Sequence, residues 1–142
     1  MSPSRPLRLL MDARYTRTDF HDGISRYGAS LLEAVARRAA APGPAGADVE
    51  VAMLISDERQ LALLPDGVPW HLVSGPTSPR EPFVARQVAR LRPDVVFSPM
   101  QTMGSWGRDY ALILTLHDLI YYEHRTPPRN LPEPCLLYTS PS

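Results

Sequence analysis

The sequence predicts an α/β fold in which a parallel sheet carries helices on both faces. Two observations support this prediction. Short, almost continuous apolar runs, typical of strands buried on both faces, alternate with segments whose apolar residues recur at helical spacing. The 142 residues also fit one domain that is large enough to bury a core. We therefore expect a single sheet whose strands are joined through helices and loops.

The first half of the chain has the pattern of strand, helix and strand. Leu7–Met11 is an apolar run that predicts the first strand. Asp22 and Gly23 end the polar loop after it, and the apolar residues that follow predict a helix over Ile24–Ala40. Prolines and glycines in residues 42–46 end this helix, and Val49–Ile55 is predicted to be the second strand.

The second half continues the alternation. Ser56 is predicted to cap a short helix over Arg59–Leu64, and Trp70–Val73 is predicted to be the third strand. Strands four and five are predicted over Asp94–Pro99 and Ala111–Leu116. Before strand four, an amphipathic helix is predicted with its apolar face formed by Phe83, Val84, Val88 and Leu91 and its outer face by Arg86, Arg90 and Arg92.

Composition argues against several classes of protein. The 15 acidic and 15 basic residues balance, so overall charge does not direct the chain to nucleic acid or to an anionic membrane. Cys135 is the single cysteine, which predicts neither an internal disulfide nor a zinc framework. No apolar run approaches the roughly 20 residues of a membrane-spanning helix, and no secretory signal is recognised. We expect a soluble, cytoplasmic protein.

Candidate ligand contacts lie just after the strands, because open parallel sheets bind ligands beyond the carboxyl ends of their strands. Gly23 opens a helix whose free amides and dipole favour a phosphate, although a simple Asp-Gly turn explains the residue equally well. His117 and Asp118 follow the fifth strand, where a histidine can carry a proton or bind a substrate hydroxyl. A histidine bonded to backbone beside a capping aspartate is an equally weighted alternative.

The loop after the fourth strand contains two aromatic residues near glycines. Trp106 and Tyr110 could stack on sugar rings, but the interpretation we favour is that they anchor the loop or the core. The sequence lacks the nucleophile-elbow pattern of serine hydrolases, the dinucleotide-binding fingerprint and the P-loop pattern. The commonest other uses of such a sheet are therefore not indicated.

Four segments, taken in order, resemble the N-terminal domain of family 4 glycosyltransferases, and the resemblance covers residues 7–133. Met11–Arg14 is similar to the family's usual start, and Gly23–Tyr27 is similar to its G-I-G-R-Y, with Ser25 in place of the second glycine. We expect this serine to be tolerated at the start of a helix. Pro93–Pro99 matches a P-D-x-x-x-x-P segment, and Leu114–Ile120 resembles V-T-x-H-D-L.

The resemblance implies a Rossmann-like, acceptor-side half of a two-domain GT-B enzyme that needs neither metal nor cofactor. Such an enzyme transfers a sugar, with retention, from a nucleoside diphosphate sugar to a glycan or lipid-linked acceptor. In that picture the amides of Gly23 and Ile24 meet the donor diphosphate, and His117 lies beside the reacting sugar. The further candidate substrate contacts are Arg14, Arg26 and Asp118; Arg26 could equally cover apolar surface, and Asp118 also suits a structural role.

Residues 1–134 are expected to form this domain, incomplete, and residues 135–142 resemble translated sequencing-adapter DNA and are expected to be a non-native tail. The donor-binding second domain is missing, so we expect the fragment alone to be inactive. Two alternatives stay open: a GT-B sugar-nucleotide epimerase, and a non-catalytic α/β binding domain. Peripheral contact with the inner membrane face is expected only if the acceptor is lipid-linked.

Overall fold

A computed structural model describes residues 5–20, 22–41 and 48–117 of the chain. Asp118 and residues 135–142, to which the sequence assigned roles, lie outside these residues. The strands are β1 Leu7–Asp12, β2 Val49–Ile55, β3 Trp70–Leu72, β4 Val95–Ser98 and β5 Ala111–Leu114. The helices are α1 Gly23–Ala40 and α2 Val84–Ala89, with 3₁₀ helices at Glu58–Leu63 and Glu81–Phe83.

The five strands form one sheet in the order β3-β2-β1-β4-β5, and every neighbouring pair is parallel. The predicted parallel α/β fold is therefore confirmed. The chain builds outward from β1 to β3 and then crosses back, so that β4 pairs with the other side of β1. This reversal creates a switch point between β1 and β4, where sheets of this kind form a crevice for ligands.

Helices cover both faces of the sheet, as predicted. Adjacent residues of a strand point to opposite faces, so Leu10 and Met11 of β1 belong to two different core clusters. On one face Met11 packs in a cluster with Leu32 of α1. On the other face Leu10 packs in a cluster with Val84 and Val88 of α2.

The short helix after β2 differs from the prediction in its cap and its type. Asp57, not Ser56, is the N-cap, and the helix is a 3₁₀ helix. The carboxylate of Asp57 accepts the Arg59 amide at 2.9 Å, and the side chain of Gln60 accepts the Asp57 amide, which completes a capping box. Ser56 instead donates its amide to Gln60 Oε1 at 2.9 Å.

The helix before β4 is shorter than predicted. It ends at Ala89, and the amide of Arg92 bonds back to the Ala89 carbonyl at 2.9 Å. Arg92 has a φ of 52°, a left-handed conformation that commonly ends helices, and Pro93 follows it. Among the described residues, no helix has the length and apolar character that crossing a membrane requires.

Candidate functional site

An open cleft of about 1540 Å³ lies beyond the carboxyl ends of the strands. Its wall is built from loops that follow four different strands, which places it at the crevice expected from the strand order. The main contributors are residues 14–19 after β1, Ser56, Asp57 and Gln60 after β2, residues 75–77 after β3, and residues 100–106 after β4.

Arg14 lies in the cleft wall at the centre of a buried ionic network. Its side chain is fully buried, Nε donates to Asp12 Oδ1 at 2.9 Å, and Nη1 donates to Glu81 Oε2 at 2.6 Å. Nη1 also donates to the Ser74 carbonyl at 2.8 Å. Burial acts to lower the pKa of Arg14, but the charge of Asp12 and the hydrogen bonds outweigh it and raise the pKa above its ordinary value. A substrate anion would therefore compete with two ion pairs for this guanidinium.

The network extends from both carboxylates to a third loop. Asp12 Oδ2 accepts the Ser98 hydroxyl at 3.1 Å, which joins the ends of β1 and β4. Glu81 Oε1 accepts the Gly104 amide at 3.1 Å, which joins the segment after β3 to the loop after β4. Charge-assisted hydrogen bonds of this kind are stronger than neutral ones. Ion pairs and hydrogen bonds inside the wall thus join the loops after β1, β3 and β4.

Gln60 is a second cross-link that the sequence interpretation missed. It is buried, and its Nε2 donates to the carbonyl oxygens of Arg14 at 2.9 Å and Thr16 at 2.8 Å. Its Oε1 accepts the amides of Ser56 and Asp57. The side-chain amide is therefore fully used in tying the loop after β1 to the loop after β2. The spacing of Asp57 and Gln60 matches a capping box, and that pattern was a signal available in the sequence.

The loop after β1 is tied to α1 and to the opposite wall. Ser25 is buried in the first turn of α1, where its Oγ accepts the Arg17 amide at 3.0 Å and donates to the Tyr15 carbonyl at 3.4 Å. Ser25, which stands where the resembled G-I-G-R-Y motif has a glycine, therefore makes specific bonds. The Tyr15 hydroxyl donates to the Thr102 carbonyl at 3.0 Å. Burial, with the nearby charge of Asp12, raises the pKa of Tyr15 to about 12.

The N-terminus of α1 reaches the edge of the cleft. Asp22 is the N-cap and accepts the Ser25 amide at 2.8 Å, and both Asp22 and Ile24 belong to the cleft wall. A Cβ atom added to Gly23 would meet no atom within 4 Å, so its backbone faces open space. Arg26 is exposed on α1 and is not part of the wall. Of the two predicted phosphate contacts, Ile24 belongs to the cleft wall, whereas Gly23 lies between two wall residues in sequence and is not itself part of the wall.

His117 lies beside α1, outside the cleft wall. Its Nε2 is hydrogen-bonded to the Pro99 carbonyl oxygen, and since a carbonyl can only accept, Nε2 carries a proton. The ring meets Tyr27 edge to face, with the centroids 5.6 Å apart and an interplanar angle of 86°. Tyr27 is one helical turn beyond Gly23. The structure therefore groups His117 with the N-terminal part of α1 and not with Arg14.

The two aromatic residues of the loop after β4 have different environments. Tyr110 is buried in a core cluster, which agrees with the predicted anchor. Trp106 is 63% exposed, so it does not belong to the core, and its role as an anchor of the loop stays a prediction. Its ring stacks on Phe83 with a centroid distance of 5.1 Å, and the Arg86 guanidinium lies 5.7 Å from its centroid. Phe83 is also exposed, so it does not belong to the apolar face predicted for its helix.

No group of three or more histidine, cysteine, aspartate or glutamate side chains within the described residues is arranged to hold a metal ion. That no metal or cofactor is needed stays a prediction.

Scans against protein-family models, curated proteins and solved structures found no match to this chain. The resemblance to family 4 glycosyltransferases therefore depends on the order and spacing of the sequence motifs.

Proposed function

We propose that the chain is the acceptor-side domain of a retaining glycosyltransferase of GT-B architecture. The complete enzyme would transfer a sugar from a nucleoside diphosphate sugar to a glycan or lipid-linked acceptor. The observation that carries the proposal is the first turn of α1 at the cleft beside the β1–β4 switch point, where Asp22 and Ile24 form part of the wall. The four ordered motifs of the sequence support the same function.

The first turn of α1 is suited to a diphosphate. The first amides of an α-helix have no acceptor within the helix, and the helix dipole adds partial positive charge there. Gly23 has no side chain, and the space a Cβ would occupy is open, so phosphate oxygens can reach the backbone. When the sugar leaves the diphosphate, negative charge grows on the phosphate oxygens. Amides already oriented toward them stabilise that charge without moving.

The charge of the wall indicates that a second domain has to complete the donor site. Four carboxylates and three arginines are among the described residues of the wall. Arg14 is paired with Asp12 and Glu81, and Arg17 is paired with Asp19 at 3.0 Å. This half alone should therefore bind a diphosphate weakly. In the proposed enzyme, basic groups of the second domain supply the missing positive charge.

His117 is proposed to position a hydroxyl group of the donor sugar. Because the proton on Nε2 is used by the Pro99 carbonyl, Nδ1 is the ring nitrogen left to bond a sugar hydroxyl. The contact with Tyr27 keeps the ring beside α1, close to the turn that would bind the diphosphate. We do not assign His117 as a nucleophile.

A non-catalytic α/β binding domain is the second candidate, and specific contacts favour it. Nε2 of His117 is engaged with the Pro99 backbone, and Arg14 is engaged in internal ion pairs. Both groups then serve the fold. Under this alternative the cleft binds a ligand without a chemical step.

Two glycines of α1 provide the test. In protein expressed from the complete reading frame, Gly23→Ala places a methyl group where the diphosphate would approach, and we expect the donor KM to rise about tenfold. Gly28→Ala is the matched control, because its Cβ would make only an ordinary contact, 3.6 Å from Pro99 Cγ. It should leave the donor KM unchanged while favouring the helix similarly. Release of nucleoside diphosphate from a panel of nucleotide sugars is the measurement.

Sequencing the source DNA beyond the codon for Leu131 is the necessary first step, because the proposal requires a second α/β domain in the same frame. A complete protein that releases no nucleoside diphosphate, yet binds a ligand in the cleft, would support the binding domain. If Gly23→Ala and Gly28→Ala change the donor KM equally, the proposed phosphate contact at Gly23 is wrong.

A further inference from the structure

Trp106 is the more exposed of the two tryptophans, and it lies in the cleft wall. One side of its ring is stacked on Phe83, with an interplanar angle of 28°. With 63% of the residue still exposed, a broad surface of the indole remains open to solvent. Trp106 and the exposed Phe83 together form a small apolar patch at the cleft, and an exposed apolar patch rimmed by polar residues is typical of a binding site.

The loop that carries Trp106 is held rigidly. Gly104 donates its amide to Glu81 and lies so close to the Glu81 backbone that a side chain would not fit. Gly107 has a φ of 80°, a conformation that favours glycine, and its Cα faces the side chain of Arg86. The backbone on both sides of Trp106 is therefore held in place, and the stacking on Phe83 orients the ring. A platform positioned in this way before a ligand arrives lowers the entropic cost of binding.

The surroundings of the ring favour a carbohydrate over other flat or apolar ligands. A pyranose has a face of C–H groups edged by hydroxyls, so it matches an aromatic face, which is partly negative, inside a polar rim. Polar residues line the same cleft wall as Trp106, namely Gln101, Thr102, Ser105 and Arg108. An acyl chain would need a larger continuous apolar surface. A nucleobase would also stack on the ring, but it has fewer groups that could hydrogen-bond to the polar residues around the ring.

We propose that Trp106 is a stacking platform for a pyranose ring of the acceptor, and that Phe83 and Arg86 support it from behind. That the bound sugar is an acceptor rests on the proposed function. Binding of a sugar to Trp106 can be measured without any donor. The sugar would lie on the open face of the indole, with its hydroxyls directed to the polar rim.

The full chain contains two tryptophans, so its two indole N–H signals in a nitrogen–proton NMR spectrum can be compared directly. Trp70, on the edge strand β3, is the internal control, and Trp70→Phe assigns the pair. The probes are cellohexaose, mannohexaose and a hexamer of galacturonic acid. We expect at least one of them to shift the Trp106 signal saturably at millimolar concentration and to leave Trp70 unchanged.

Saturation transfer to the C–H protons of the sugar measures the affinity of variants. Trp106→Ala should weaken binding about tenfold, and Trp106→Phe should keep most of it. Both substitutions are at an exposed side chain whose contacts are with other surface residues, so the unfolding midpoint should change little. The proposal is overturned if none of the oligosaccharides shifts Trp106, or if Trp106→Ala binds them normally. It also fails if uridine monophosphate or a short-chain phosphatidylcholine shifts Trp106 at lower concentration than every oligosaccharide.

The two proposals fail in different ways. Sugar binding at Trp106 combined with no transfer by the complete protein would refute the transferase and keep the platform. Transfer activity with an acceptor KM unchanged by Trp106→Ala would refute the platform and keep the transferase.

Discussion

The backbone of Gly104 lies directly against the backbone of Glu81, so that a Cβ atom on Gly104 would overlap the Glu81 carbonyl oxygen. The same two residues are joined by the Gly104 amide, which donates to the Glu81 carboxylate at 3.1 Å. Glu81 in turn binds Arg14, which binds Asp12. This contact is therefore where the loop after β4 joins the buried ionic network of the cleft wall.

Gly104→Ala should destabilise the protein by about 2 kcal/mol, because overfilling a close backbone contact forces the two segments apart. Gly23→Ala is the control, since its added methyl group meets no atom within 4 Å. Urea unfolding followed by circular dichroism measures both. Equal stability of Gly104→Ala and the unaltered protein would show that the two loops do not approach this closely in solution.

Arg14→Met should cost about 3–5 kcal/mol, because it leaves the buried carboxylate of Asp12 and the mostly buried one of Glu81 without their cation. Arg59→Met removes a guanidinium that also pairs with a carboxylate, that of Asp57, but the Arg59 side chain is 76% exposed. Its cost should be much smaller, because solvent screens an exposed ion pair. Unfolding free energies from urea titration test the pair. Similar small costs at the two positions would contradict the buried network.

Tyr110 and Tyr15 should respond in opposite directions to loss of the hydroxyl. Among the described residues, the buried Tyr110 hydroxyl has no hydrogen-bond partner, so Tyr110→Phe should raise the unfolding free energy by about 1 kcal/mol. The Tyr15 hydroxyl donates to the Thr102 carbonyl, so Tyr15→Phe should lower it by about 1 kcal/mol. Thermal unfolding of the two variants decides the signs. A loss of stability in Tyr110→Phe would indicate a partner for its hydroxyl.

Stability should fall in alkaline solution as the tyrosines titrate. Burial raises the pKa of both Tyr15 and Tyr110 from 10.0 to about 12, so the unfolded chain loses these protons first. The stability they contribute is complete below about pH 10 and is lost between about pH 10 and 12. The sequence has no lysine, so tyrosines dominate this range. The double variant Tyr15→Phe, Tyr110→Phe should show a flatter fall in urea unfolding over the same pH range.

Asp22→Asn should strengthen pyrophosphate binding at α1 by about two- to fivefold, because asparagine keeps the N-cap while one negative charge is removed beside the first turn. Asp48→Asn removes the same charge next to the amino end of β2, which lies at the opposite end of the parallel strands from the cleft. Titration calorimetry with inorganic pyrophosphate compares them. If both variants gain equally, the effect is one of net charge, and α1 has no special role.

The elements of the fold could be predicted from the sequence because their signals are local. A strand buried on both faces is apolar along its length, so Leu7–Met11 and Val49–Ile55 could be predicted without knowledge of the neighbouring strands. The start of α1 could be predicted from Asp22 and Gly23, because the pattern at a helix start is also local. The differences lay at helix ends, such as Ser56, where a cap depends on which side chain turns back to the backbone, and in the type of the short helix after β2.

The cleft wall could not be predicted, because its contacts join residues that are distant along the chain. Arg14 and Glu81 are 67 positions apart, and no periodicity links them. Whether Arg14 met a ligand or an internal carboxylate depended on how the loops after β1 and β3 pack. The environment of Trp106 was set in the same way, by the close approach of Gly104 to Glu81. Local patterns thus specify strands and helices, whereas burial and charge pairing in the cleft arise only when the strands align their carboxyl ends.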